Sequence, residues 1–217
     1  LGRGPPRGRC RGAAGDGASA EGPVNYVRTV APSETPVDLA LLKEHLRLSS
    51  TDQANVLPLY LDAAVAWVET YTGRPLMRQT WRVTLPEFYE RTWLPYAAPL
   101  VAVSSITYYD TANASQTLAS AVYTAPTDGE PACLRLAYGQ TWPSAYSRED
   151  AVTVTYTAGY AEATSVPAPL RQAVLLLAGH FYENREAVLV SAISKEIEFA
   201  VTALCAPYRL FLREPSC

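Results

Sequence analysis

The chain has 217 residues, long enough for one domain with an inserted subdomain and a sizeable buried core. Apolar residues make up 48% and charged residues 18%, against ~25% charged in ordinary soluble domains, which leaves two readings: a large core, or a surface partly covered by partners. A net charge of −3 excludes a broadly basic, phosphate-binding body, and the four scattered cysteines show no CxxC spacing for a zinc site or redox pair.

Residues 1–23 are Gly, Arg, Ala and Pro with no large apolar residue after Leu1. Such a segment cannot bury enough surface to offset its ordering entropy, and it reads as a disordered tail or translated upstream sequence. Its four arginines against Asp16 and Glu21 also admit a basic arm that touches nucleic acid. No apolar stretch of the kind a secretory signal needs follows these arginines.

The remainder, 24–217, is expected to fold from about Val27. Thr35-Pro36-Val37-Asp38 predicts a helix start with Thr35 as N-cap, and Leu39, Leu42 and Leu46 continue it at helical spacing over about 36–48. His45 lies beside that stripe and reads as structural. A second helix, about 53–73, carries Leu57, Leu61, Ala64, Val68 and Tyr71 on one face. Pro58 predicts a start near Asn55 or a kink, and Gly73 supplies a left-handed terminus.

Between 79 and 157 the period shifts to two. Short segments rich in Val, Thr, Tyr and Trp alternate with turns at 110–115 and 126–131. Val152, Val154 and Tyr156 alternate with Thr153, Thr155 and Thr157, a half-buried strand. A third helix, about 168–186, is apolar on almost every face from Leu170 to Tyr182, so it is read as the buried centre of a bundle. Gly179 within it predicts close approach of a neighbouring helix. Residues 187–194 are expected to form a loop, and a short helix is expected over about 198–206. The fold class is therefore α+β: a small helical bundle with an inserted, mostly antiparallel β subdomain.

Chemistry is sparse. The two histidines, His45 and His180, belong to no HExxH pattern, and no GxSxG elbow, GxGxxG turn or GxxxxGK[ST] loop is present. Glu183 and Glu186 sit three apart with Arg185 between them, as solvated or ion-paired helix ends do. No catalytic, cofactor or metal residue is assigned. Tyr108, Tyr109, Tyr123 and Trp142 admit a second reading, in which the β subdomain and the arginine-rich arm bind nucleic acid by stacking.

The series TPVDLALLKEHLRL (35–48), AAVAWVETYTGRPLMRQTW (63–81), VTVTYTAGY (152–160) and VPAPLRQAVLLLAGHFYENRE (166–186) resembles the head–tail connector, or adaptor, family of long-tailed phages and gene transfer agents. The resemblance covers about residues 30–210. It implies a virion protein of the particle neck, assembled in the bacterial cytoplasm and not an enzyme. Such proteins form a ring, usually of twelve copies, beneath the portal ring. They join the next neck protein (the stopper) and extend the conduit through which DNA passes during packaging and ejection, without sequence-specific binding or contact with a membrane. An acidic body suits such a conduit.

The resemblance also implies that the C-terminal segment contacts the portal. That segment is apolar at a chain end and interrupted by Pro207 and Pro215. Phe199, Leu204, Tyr208, Arg209, Leu210, Phe211 and Leu212 are the expected contacts; the other reading folds the segment back onto the bundle.

Overall fold

The computed structural model describes residues 25–49, 55–184 and 195–210. Its elements in order are β1 (Asn25–Val30), α1 (Leu39–His45), α2 (Leu57–Thr72), β2 (Gln79–Leu85), β3 (Arg91–Trp93), β4 (Leu100–Tyr109), β5 (Ser115–Thr117), β6 (Tyr123–Thr124), β7 (Cys133–Leu136), β8 (Val152–Ala158), α3 (Ala168–Glu183) and α4 (Lys195–Cys205). The helices form one body and the strands a second; β2–β8 are inserted between α2 and α3, and β1 joins them from ahead of α1. Every strand pairing is antiparallel.

The α3 sequence dictates its burial. Leu170, Ala173, Val174, Leu175, Leu177 and Ala178 are buried, so the apolar residues cover more than one face. They meet Leu57, Leu61, Ala64 and Val68 of α2, Leu42 of α1, and Val201 and Cys205 of α4 in one core. Burial raises the Cys205 thiol to about 11, so it behaves as a small apolar side chain. Leu176 is only half-buried, on the margin of this core.

Helix starts differ from the expectation in two places. The N-cap of α1 is Asp38, whose Oδ1 accepts the Ala40 N–H at 3.0 Å. Thr35 instead donates its hydroxyl to the Val37 carbonyl at 2.7 Å, which turns the chain before the helix. Pro36 is then a buried turn residue, because a cap oxygen must face free N–H groups and only Asp38 does. The α2 helix begins at Leu57, so Pro58 falls in the first turn, where its missing N–H costs nothing and no kink is needed. Gly73 ends α2 at φ +68°, as its sequence position predicts.

The larger sheet has the order β1-β2-β8-β4-β5, and a smaller one the order β3-β7-β6. β8 is central and alternates buried Val152, Val154 and Tyr156 with half-buried threonines. Its buried residues join Trp81, Val83 and Leu85 of β2, Ile106 of β4 and Leu134 of β7 in a second core, so the small sheet closes one face of the large one. Tyr156 donates its hydroxyl to the Pro95 carbonyl, which satisfies its buried oxygen. β1 is the unforeseen element. All six of its residues are exposed, so no apolar alternation marks it in the sequence; it is held by its ladder to β2. β3 and β5, three residues each, were equally unmarked.

Gly179 faces the end of α1, but an added Cβ would lie 3.5 Å from Leu46 Cδ2 and 3.7 Å from His45 Nε2, ordinary contact distances. The approach is therefore not close enough to demand glycine. Gly179→Ala is expected to leave the fold intact and to raise stability by up to ~1 kcal/mol, the helix-propensity difference. Val174→Asp, with a charge in the dry core, should abolish cooperative folding. Thermal melts of both variants check this; a normal melt for Val174→Asp would contradict the core assignment.

Candidate functional site

The site begins where α2 ends. Gly73 turns the chain, and the next residue, Arg74, is carried back against the bundle and buried. Its guanidinium donates to both oxygens of Glu130, at 2.8 and 2.5 Å, and Nε donates to the Tyr208 carbonyl. One side chain thus joins the bundle, a loop of the β body and the C-terminal segment. Beside it the Leu210 N–H donates to the Thr72 carbonyl at 2.8 Å, satisfying one carbonyl at the open end of α2.

A second tie is formed by Glu69, a buried carboxylate one turn earlier on α2. Its Oε1 accepts the Leu76 N–H at 2.7 Å and the Gln79 amide at 2.9 Å, while Arg28 of β1 donates to the Gln79 side-chain oxygen at 3.3 Å. Burial raises the Glu69 pKa, and the two hydrogen bonds and the Arg28 charge oppose this only in part. A cleft of about 430 Å³ opens beside it between residues 31–36 and α2, with Asp62 and Glu69 on its wall.

The C-terminal residues named from the sequence do not share one surface. Tyr208, Arg209 and Leu210 lie along the α2 terminus. Arg209 and Leu210 line a groove together with Tyr26, Tyr71 and Tyr96, with the Arg209 guanidinium 5.1 Å from the Tyr71 ring. Leu204 is half-buried against the bundle core. Phe199 is separate and 76% exposed. Phe211 and Leu212 lie outside the described residues, as do Arg185 and Glu186. Sequence reading missed Arg74, Glu69 and Glu130. The available signal was the run Gly73-Arg74-Pro75, a helix stop followed directly by a charged residue that has to find a partner.

The stacking platforms are already used. Trp142 stacks on Phe88 at 4.9 Å, Tyr108 meets the edge of Phe88 at 5.5 Å, and the Tyr109 ring is covered by Arg148 at 4.0 Å. Tyr123 packs against the second core. Arg148 is itself paired with Asp150. Among the described residues no group of three or more His, Cys, Asp or Glu side chains is placed to hold a metal ion. No helix among them is long and apolar enough to cross a membrane.

The model of the family described as "Head completion protein" matches residues 37–198. No curated protein matches the chain. Three solved assemblies contain similar chains. One is the neck of an empty gene transfer agent (GTA) particle computed with C6 symmetry: 26% identity and TM-score 0.71, covering 88% of this chain and 98% of that one. A second is the virion of a native GTA particle: 27% identity and TM-score 0.70, covering 88% and 98%. The third is the neck of a native GTA particle computed with C12 symmetry: 26% identity and TM-score 0.68, covering 89% and 98%.

The raised Glu69 pKa gives a testable pH dependence. A carboxyl whose folded pKa lies above its unfolded value binds the proton more tightly when folded. Its favourable contribution is complete below the unfolded pKa, about 4.3, and is lost as pH rises through the folded pKa. Glu69→Gln keeps an oxygen to accept the Leu76 N–H and removes the buried charge. The variant should gain stability relative to the parent as pH rises from about 4. Urea melts from pH 4 to 7 check this; a difference that is constant with pH would refute it.

Proposed function

The chain belongs to the head completion protein family, and on that premise we propose that it is the adaptor subunit of a particle neck, forming a ring beneath the portal and joining the capsid to the tail. The observation that carries this is the likeness to chains in GTA necks computed with C6 and C12 symmetry, over 98% of those chains. A symmetry-repeated chain contributes surfaces, and surfaces are what this fold offers: two packed bodies clamped at Arg74, exposed apolar residues, and aromatic rings occupied in packing. The protein is a structural component of the neck, and its role requires no catalytic step.

The finer reading concerns partners. A dodecamer matches the C12 repeat of a related neck. Arg209 and Leu210 line a groove with Tyr26, Tyr71 and Tyr96 at the end of the bundle. Residues 211–217, which include Phe211 and Leu212, then continue as the portal anchor, with Arg209 at their root. Phe199 adds an exposed apolar contact on α4. The distal face of the ring meets the next neck protein. DNA passes through the lumen without sequence-specific contacts, consistent with the net charge of −3.

Deleting the gene should give DNA-filled heads that lack tails, and electron microscopy of lysates checks it; tailed particles would overturn the adaptor reading. Truncation after Leu210 tests the anchor. Tyr208 and Leu210 are tied to the α2 terminus, so the shortened protein should fold with an unchanged melt yet fail to co-purify with portal. Normal co-purification would place the docking surface elsewhere.

A further inference from the structure

The strand register defines a face of the large sheet that neither core uses. Thr80 and Thr84 of β2, Thr107 of β4, and Thr153, Thr155 and Thr157 of β8 lie on it, opposite the side of Val83, Ile106 and Val154. β1 extends it with Val27 and Val30, paired with Arg82 and Thr80, 45% and 56% exposed and members of neither core. In the register of β1, β2, β8 and β4, Arg82 is the one charged residue on this side. Threonine is favoured in strands in general, so the feature that marks this side is its near lack of charge together with its edge: an exposed edge strand is ordinarily protected by charge or proline. Between Asn25 and Val30, β1 has no proline, and its one charge, Arg28, points to the other side opposite Trp81. At the β1 end the face runs into a concavity of about 420 Å³ lined by Val30, Thr80 and Thr157, where charge returns with Glu34 and Arg78.

A projecting aromatic stands on the turn that follows β7 of the small sheet. Tyr138 follows β7 in a tight turn closed by Gln140 N–H to the Ala137 carbonyl at 3.1 Å, with Gly139 at φ +73°. It is fully exposed. A lone aromatic on a rigid turn loses little entropy on binding and makes an effective anchor.

We infer that the threonine face with its β1 edge, and the Tyr138 turn, are the two halves of the contact between successive copies of this chain. The inference rests on the ring reading above. A closed ring needs heterologous contacts, in which two different patches on opposite sides of the subunit meet. The small sheet packs on the core side of the large one, so the Tyr138 turn belongs to the layer turned away from the threonine face. Threonine suits the role: its hydroxyl can be satisfied by donating or accepting, its branched side chain is stiff before contact, and it carries no charge to desolvate. Four strands spaced ~4.8 Å apart, each about six residues long at ~3.3 Å per residue, offer on the order of 400 Å². That is about half the ~800 Å² per partner of a stable standard interface, so one pair is weak alone and persists when the ring closes.

The test is crosslinking in assembled particles. Thr80→Cys and Tyr138→Cys are introduced singly and together, and purified particles are treated with a short bis-maleimide. The double variant should give a ladder of multimers on denaturing gels, which either single variant lacks. Tailed particles that contain the double variant but show no ladder beyond the single-variant controls would overturn the contact and leave the adaptor reading standing. Absence of the wild-type protein from particles would instead defeat that reading. Thr155→Glu supplies an independent arm. It should melt normally as a purified protein yet be incorporated at least tenfold less than wild type in competition. Equal incorporation, or crosslinking of this face to DNA, would refute the inference.

Discussion

The arrangement of the two bodies depends on one buried guanidinium. Arg74 holds the loop of the β body at Glu130 and the C-terminal segment at Tyr208, from a position fixed by the end of α2. A buried cation is tolerated only when its donors are matched, and here three of its nitrogens are. Glu130 is well exposed at its end of the pair, so the interaction is worth less as a charge pair than as a geometric lock: the bidentate fork fixes an angle as well as a distance. Glu69 performs the complementary task from the same helix by capping the backbone where β2 begins. Helix end, strand start and chain end are therefore positioned by two side chains five residues apart.

This junction also explains the close contact at Gly159. A Cβ there would lie 2.2 Å from the Met77 carbonyl oxygen, and the residue has φ +107°, so no other residue fits without moving the backbone. Met77 and Tyr160 form a parallel bridge beside it. The segments entering and leaving the sheet are thus pressed together just as they pass into the bundle. The insertion leaves and rejoins the helices through one narrow neck, so the two cores can pack independently while their relative orientation remains fixed.

The elements visible in the sequence were those whose side chains alternate between core and solvent. β8 shows period two because one of its faces meets the second core, and α3 shows a dense apolar run because its neighbours are α1, α2 and α4. What escaped notice followed the converse rule. β1 buries nothing, so its strand character is set by pairing with β2 rather than by its own pattern. The cap of α1 was misplaced because Thr35 and Asp38 both carry capping oxygens, and only the turn at Pro36 decides between them. The site was less legible still. Arg74, Glu69 and Glu130 are ordinary charged residues in the sequence, and their partnership spans 56 residues in one case and seven in another.

The distribution of charge links these points to assembly. The charged side chains with structural roles are consumed within the subunit, at Arg74 with Glu130 and at Arg148 with Asp150. The broad sheet face and the outer side of α2, where Leu59 is 66% exposed, carry almost none. A subunit that spends its ion pairs internally fixes its own shape. It also leaves surfaces that can be covered without burying unpaired charge, and desolvating such charge is the dominant cost of a wrong contact. In the ring proposed above, low charge on the contact patch has a repeated benefit: an unmatched charge there would recur at every contact around the ring.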